Sequence, residues 1–370
     1  MLSKIKEKIF FENIDKTILA SSALIILFGV FSFFSASIGF LNKVENEEFF
    51  SSFIKTQLLA YLIGASLFFI VYFLSTKFFI RISTYLYVFS ILLCLLIFIP
   101  GIEIQHGGGV RWLNLFGFSL QPADILKFAC IVLYSSYFYK YRSVLSQFKF
   151  AVIYPAVIMI PVAVVFFLQK DLGSLTIIFF VVAGVYILNN IKVSYILLIS
   201  LLGIMIVFSY AMLNKYVMDR VNGMKVESYQ AKQSLIALGS GGLFGRGYGK
   251  SVQKFFYLPE PAGDSIFAVV GEEFGFVGTS LVAFLFLIMI LKSIFIARKS
   301  DNPFVRNMLY GISFLFFAQF VMNTGSMTKI IPLSGDTLPF FSKGGTALIM
   351  NMIELSLLLK FTRKDIIRKT

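Results

Sequence analysis

The sequence predicts an all-α, polytopic membrane protein with about ten transmembrane helices, and three observations carry that prediction. Of 370 residues, 58% are hydrophobic and only 14% charged, with a mean hydropathy of +0.85. A soluble domain carries about 25% charged residues. Apolar runs of roughly 17–25 residues recur along the whole chain, each enough to cross a hydrocarbon core of about 30 Å. Their continuity fits helices, because barrel strands alternate in segments of about ten residues.

The expected spans are 17–41, 56–75, 83–101, 122–139, 150–168, 172–189, 193–213, 265–297, 305–327 and 341–361. Lys and Arg set their orientation. With both termini cytoplasmic, the inner segments hold nineteen cations and the short outer loops six. One domain, 1–370, is expected, without internal repeat, and the first run reads as a retained helix rather than a cleaved signal. Two outer loops are long: 102–121, and about 214–263. Long loops in compact proteins usually carry function. Within the second, SYQAKQSLIALGSGG reads as a short interfacial helix ended by Gly239.

The net charge of +14 does not indicate nucleic acid, since most cations flank the helices, where they meet anionic membrane lipid. Cys94 and Cys130 fall inside expected helices and the single histidine, His106, has no Cys or His companion, which argues against a disulfide framework or metal site. GSGGLFGRGYGKS, Gly239–Ser251, resembles a phosphate loop, but Phe244 stands where that loop needs glycine. Its glycines let backbone approach a bulky ligand or fold tightly, and the sequence does not separate these uses.

Ionisable residues inside apolar helices cost about 2.5–3.5 kcal/mol each and are therefore functional candidates. Lys127 lies one turn after Asp124 in QPADILKFACIVL, so the two can pair; the cation is either structural or faces a polar cavity. Asp264 starts a run that as one helix would extend roughly 50 Å, so its first turns stand at the outer surface. It follows the rigid Leu258-Pro259-Glu260-Pro261 segment and is either a helix cap or a site carboxylate. Glu272 and Glu273 point about 100° apart and cannot serve one site; hydrogen bonding to neighbouring helices is the alternative use. In the last outer loop, NTGSMTKIIPLSGDTLPFFSKGG, Lys329, Asp336 and Lys343 face the same side as Asp264, Arg111 and Lys170. One carboxylate among several cations over an apolar bundle suits an amphiphile with a phosphorylated head.

Four separated motifs, RWLNLFGFSLQPADILKFA, QKDLGS, QSLIALGSGGLFGRGYGKSVQKFFYLPEPAGDSIFAVVGEEFGFVG and LPFFSKGG, make the chain resemble the SEDS proteins (shape, elongation, division and sporulation). These ten-helix peptidoglycan polymerases include FtsW and RodA. The resemblance runs from FSFFSASIGF in the first helix to the end, and VQKFFYLPEP is closer to the division branch, FtsW. It implies polymerisation of lipid II, an undecaprenyl-pyrophosphoryl disaccharide-pentapeptide, at the outer face of the bacterial cytoplasmic membrane. Asp264 matches the family's essential aspartate and is the candidate base. Arg111 and Lys127, with Arg246, Lys250 and Lys343, are the candidate pyrophosphate contacts; Asp124, Glu260 and Ser342 lie in the matching motifs and complete the substrate-binding set. Ala262-Gly263 replaces the habitual His-Thr, Lys343 a tyrosine and Asp124 a glutamate. A divalent cation, Mg or Mn, would share the pyrophosphate work, although no ligand cluster in the sequence marks it. The implied partners are a class B penicillin-binding protein transpeptidase and other divisome or elongasome proteins. The alternative function is a flippase or transporter of lipid-linked oligosaccharide, with Lys127, Glu272 and Glu273 lining its path.

Overall fold

The computed structural model describes residues 13–41, 47–101, 103–106, 109–115, 118–189, 191–213, 229–333 and 335–367. The first part of the expected long outer loop, 214–228, lies outside the described residues, as do Lys4, Lys6, Lys8, Lys43, Arg368 and Lys369. In chain order the helices are α1 (Lys16–Leu41), α2 (Glu47–Phe73), α3 (Thr76–Leu96), α4 (Pro122–Lys140), α5 (Tyr154–Leu168), α6 (Leu172–Leu188), α7 (Val193–Leu213), α8 (Tyr229–Ser240), α9 (Gln253–Phe256), α10 (Ile266–Arg298), α11 (Pro303–Met327), α12 (Gly345–Phe361) and α13 (Lys364–Ile367). Each expected span is met by a helix, and among the described residues six helices are long and apolar enough to cross a membrane on that ground alone.

Boundaries move for local reasons. Asp15 accepts from Thr17 and Ile18 N and starts α1, while Ser75 accepts from Phe78 N and starts α3 seven residues before the expected 83. Asn302 caps α11 through Phe304 and Val305 N, with Pro303 in the first turn. α2 begins at Glu47 rather than 56 because its polar first turns precede the apolar window, which opens at Phe53. α12 begins at Gly345 rather than 341, since Leu338–Lys343 is committed to a turn. α8 runs through Gly239 to Ser240. Loop 102–121, read as irregular, contains three antiparallel strands in the order β1 (Glu103–His106), β2 (Gly109–Leu115), β3 (Phe118–Leu120). β2 pairs in register with β3, Leu113 opposite Leu120 and Leu115 opposite Phe118.

α11 lies centrally, packed on α4, α6 and α10, while α12 packs on α2 and α10 on α1. Its ring of buried residues includes Phe304, Met308, Ile312 and Phe316. α5 is unusual. It is entered through a π-helical turn, Lys149–Ile153, and carries Pro155 and Pro161. Pro155 has no N–H for the Ala151 carbonyl one turn earlier, and the Tyr186 hydroxyl donates to that oxygen at 2.9 Å. Tyr137 donates to Phe150 O, Tyr134 to Pro155 O and Tyr87 to Ile158 O, so hydroxyls from α3, α4 and α6 hold the α5 backbone.

The glycine-rich loop answers the other open question of the sequence. α10 is broken at Gly275, which has φ +67° and ψ −163°. A break frees backbone groups that an apolar bundle cannot leave unpaired. Loop 241–247 takes them up: Arg246 N donates to Glu272 O at 2.9 Å, Gly247 N to Glu273 O at 3.0 Å, and the Gly242 and Leu243 carbonyls accept from Phe276 and Val277 N at 2.9 and 3.0 Å. A Cβ at Gly241 would overlap the Gly271 carbonyl and one at Gly245 the Glu273 carbonyl, so the glycines serve close backbone approach. Below the break, fully buried Lys254 on α9 pairs with Glu273 Oε1 at 2.5 Å and donates to Ser35 Oγ on α1 at 2.7 Å; Ser35 in turn donates to Glu273. Glu272 turns to the other side, where it accepts from Ser251 Oγ and from Val252 and Gln253 N.

Replacing one member of a buried pair leaves the other charge unpaired, at a cost of about 3–5 kcal/mol. Lys254→Met is therefore expected to lower the thermal midpoint of the detergent-solubilised protein strongly, and the double variant Lys254→Met/Glu273→Gln to recover most of that loss. Equal midpoints for the single and double variants would show that the pair does not hold α10 to α1.

Candidate active site

Arg111 lies on β2 and is 6% exposed. Its Nη2 donates to Lys170 O at 2.5 Å, and Nη1 stands 3.8 Å from Asp171 Oδ1. The acceptor is presented by a turn between α5 and α6 in which Lys170 takes φ +56°, while Asp171 caps α6 by accepting from Ser174 N. The turn of the QKDLGS segment thus fixes the guanidinium in place. Its side chains also reach down the bundle: buried Gln169 donates to Cys94 O at 3.0 Å.

Asp264 lies at the mouth of α10. The preceding turn is closed by Glu260, at φ +44°, whose carbonyl accepts from Gly263 N at 3.0 Å and Ser265 N at 3.2 Å. The cap position of α10 falls on Ser265, without a side-chain capping bond, so the half-buried Asp264 is not the helix cap. The loop between α11 and α12 is strapped to this turn. Ser342 Oγ donates to Gly263 O at 2.9 Å while accepting from Leu338 N at 2.8 Å, and Lys343 N donates to Ala262 O at 2.6 Å. Buried Asn323 on α11 joins both partners, donating to Asp264 O at 2.9 Å and Asp336 O at 2.8 Å. At Gly335, φ +75°, the point where a Cβ would stand is 3.5 Å from Asp264 Oδ2 and 3.9 Å from Arg111 Nη1. Three loops distant in sequence therefore bring a carboxylate and a guanidinium to one place.

Lys127 is buried and pairs with Asp124 at 2.7 Å within the first turns of α4. Asp171, Asp336 and Glu354 act on the Lys127 charge electrostatically, so this pair belongs to the same polar interior as Arg111. Glu354, buried on α12, was not singled out in the sequence, although NMIELSL obeys the criterion that selected Lys127, an ionisable residue within an apolar run. Lys254 and Asn323 were missed for another reason: their partners are remote in sequence.

Lys343 places its ammonium 3.9 Å from the Phe53 ring centroid, and desolvation there lowers its pKa from the ordinary lysine value, with nearby Glu260 opposing the shift. Arg246 does not join Asp264. It pairs with Glu272 at 3.6 Å, eight residues along the chain, about 12 Å on helical rise. Exposed Lys250 lies on the same glycine-rich loop, with its chain against Gly247. Among the described residues no three His, Cys, Asp or Glu side chains come together to hold a metal ion. Both cysteines are free and buried.

Residues 15–366 match the family model described as Cell cycle protein, FtsW/RodA/SpoVE. The chain belongs to this family. Among FtsW/RodA/SpoVE relatives, a probable peptidoglycan glycosyltransferase FtsW of Geobacter sp. strain M18 is 32% identical over 95% of this chain and 98% of its own. Stage V sporulation protein E of Bacillus subtilis strain 168 is 30% identical over 94% and 97%. In fold, the chain resembles the rod shape determining protein RodA of Thermus thermophilus, with a TM-score of 0.69 at 24% identity over 96% of this chain and 98% of that one. It also resembles a chain solved in a peptidoglycan synthase complex, with a TM-score of 0.76 at 22% identity over 96% and 99%.

Asn323→Ala removes both donors that join the Asp264 turn to the Asp336 loop. Each lost bond costs about 0.5–1.5 kcal/mol, so a drop in unfolding stability of about 1–3 kcal/mol is expected. Asn323→Asp, which keeps the shape and loses the donors, should destabilise to a similar degree. A melting curve matching the unsubstituted protein in both variants would refute the joining role.

Proposed function

We propose that this protein is a peptidoglycan glycosyltransferase that polymerises lipid II into glycan strands at the outer face of the cytoplasmic membrane. The observation that carries the site assignment is the convergence of Asp264 and Arg111 on Gly335. The relatives' names support the activity, since two thirds or more of each is matched by this chain. The cation asymmetry supports a reading in which both termini are cytoplasmic and Asp264 is on the outer side of the membrane.

In this reading a sugar 4-hydroxyl of one lipid-linked substrate attacks the anomeric carbon of the growing strand. Asp264 takes the hydroxyl proton as the C–O bond forms, and the lipid pyrophosphate leaves from the opposite face with inversion. Arg111, held by the Lys170 carbonyl and Asp171, offers a preorganised guanidinium to the charge developing on the pyrophosphate. Lys343 adds a point charge at the rim beside Glu260, and Ser342 holds the Gly263 carbonyl and with it the approach to Asp264. Lys127, buried and paired with Asp124 at 2.7 Å, adds a second cation to the same polar interior, on which Asp336 and Asp171 also act. Among the described residues no three His, Cys, Asp or Glu side chains gather to hold a metal; a divalent cation, Mg or Mn, would when bound share with Arg111 the neutralisation of the pyrophosphate.

A polymerase of this kind leaves strands without crosslinks, so its partner is a class B penicillin-binding protein, within the division machinery as the sequence wording suggests. The flippase reading needs charged groups free along the depth of the bundle. Glu273 is tied to Lys254 and Ser35, and Glu272 to Ser251 and Arg246, which supports the polymerase reading instead.

The test is turnover of purified lipid II by the reconstituted protein, read as glycan polymer on gels. Asp264→Asn is expected to lower the rate by about a hundredfold or more. Arg111→Lys keeps the charge but loses the planar fork, with an expected loss of about tenfold. Polymer at the unsubstituted rate from Asp264→Asn would remove the carboxylate from the chemistry. Transbilayer movement of labelled lipid without polymer would replace the reading by transport.

A further inference from the structure

The end of the bundle opposite Asp264 carries a second feature that the chemistry above does not use. α4 runs from Pro122 beside the site to Lys140, about 27 Å on helical rise. There Lys140, Arg142, Lys149 and Lys192 are all exposed, and each lies over an aromatic ring: Tyr141 at 5.3 Å, Tyr139 at 5.9 Å, Tyr154 at 5.4 Å and Tyr195 at 5.6 Å. Ring contacts join the rings under Lys140 and Lys149, and another joins the ring under Lys192 to the Tyr141–Lys149 segment. Tyr141 meets Phe150 at 5.3 Å, Phe150 meets Tyr154 at 5.2 Å, and Phe148 reaches across to Tyr195 on α7 at 5.5 Å. Segments 139–155 and 186–199, which build the patch, contain no Asp or Glu.

Directly beside this patch a cavity of about 700 Å³ opens between α4, α5, α6 and α7. That volume lies in the range of sites that enclose an organic ligand, roughly 300–1,000 Å³. Val152 of its wall is one turn from Lys149, and Ile199 one turn from Tyr195, so the cations stand at its inner end. The lining is apolar, with Pro155, Ala163, Phe179 and Phe208 among it. Its three polar side chains are already engaged: Tyr134 donates to Pro155 O, Tyr186 to Ala151 O and Thr176 to Leu172 O. A hydrocarbon chain fits such walls, and a sugar or peptide does not.

We propose that this is a binding site for an anionic diacyl phospholipid of the cytoplasmic leaflet, its phosphate headgroup on Lys140, Arg142, Lys149 and Lys192 and an acyl chain in the α4–α7 cavity. A basic rim between membrane helices recognises anionic headgroups through charge, and the rings beneath hold the lysine and arginine stems at headgroup depth. The site is on the other side of the membrane from Asp264 and is separate from the substrate's pyrophosphate contacts.

The full-length protein, purified in neutral detergent, would be titrated with phosphatidylglycerol and phosphatidylcholine of identical acyl chains and read by native mass spectrometry. The unsubstituted protein is expected to retain phosphatidylglycerol at least about tenfold better. Equal retention by that protein would overturn the proposal whatever the variants do. The quadruple variant Lys140→Gln/Arg142→Gln/Lys149→Gln/Lys192→Gln should lose the preference, and Ala156→Trp, which fills the cavity from its exposed edge, should weaken phosphatidylglycerol with all four cations in place. A preference unchanged in Ala156→Trp would mean diffuse surface charge rather than a site. Displacement of phosphatidylglycerol by lipid II would assign the cavity to substrate and also overturn the proposal.

Discussion

A helix interrupted among apolar side chains has no water to accept or donate its freed hydrogen bonds, and this constraint organises the half of the molecule that carries Asp264. The break at Gly275 frees groups on both sides, and loop 241–247 satisfies them at the Glu272 and Glu273 carbonyls and the Phe276 and Val277 amides. Loop and helix are therefore one unit. Glu273, Lys254 and Ser35 fasten that unit to α1, and Glu272 fastens it to the segment that leads into α9. The turn bearing Asp264 begins where this fastening ends, so the carboxylate is presented by a braced stem and not by a free loop tip.

The polar interior beside it follows the same economy of charge. Three of the buried cations among the described residues have an acid within reach: Lys127 has Asp124, Arg111 has Asp171, and Lys254 has Glu273, while Lys360 donates to the Leu74 carbonyl. In an apolar surrounding the isolated ion is the expensive state, and pairing removes most of that expense. Arg111 differs from the other two in geometry. Its ion contact is longer, at 3.8 Å, and its closest bond is to the Lys170 carbonyl, so the turn between α5 and α6 sets its orientation.

Much of this was legible in the sequence, and the exceptions have physical causes. The apolar helices follow from run length, a property of each segment alone. The Asp124–Lys127 pair follows from helical spacing. Asp264 could be placed at a mouth because its helix is too long for a bilayer. The small sheet at 103–120 escaped notice because its strands are short, of four, seven and three residues, and lack clean alternation. The glycine-rich loop left two uses open, since close approach to a ligand and close approach to a broken helix demand the same residue. Its partner, Gly275, lies thirty residues away. The bonds of Asn323 and the pairing of Lys254 depend on segments joined by the fold alone, and no local pattern announces them. Arg246 looked like a free cation because the turn of Glu272 toward it is set by packing.

The tyrosines around α5 have a further meaning. Tyr87, Tyr134, Tyr137 and Tyr186 each hand a hydroxyl to a main-chain oxygen of the proline-bearing segment. On any scale of greasiness phenylalanine would serve as well or better, and evolutionary drift between the two is ordinarily cheap. Here the exchange takes a hydroxyl away from a carbonyl of the proline-bearing segment, at Ala151 one whose helical donor Pro155 cannot supply. Register in this half of the bundle is therefore written in oxygen atoms that hydropathy profiles do not see, and two chains with superimposable profiles could differ in whether these helices lock.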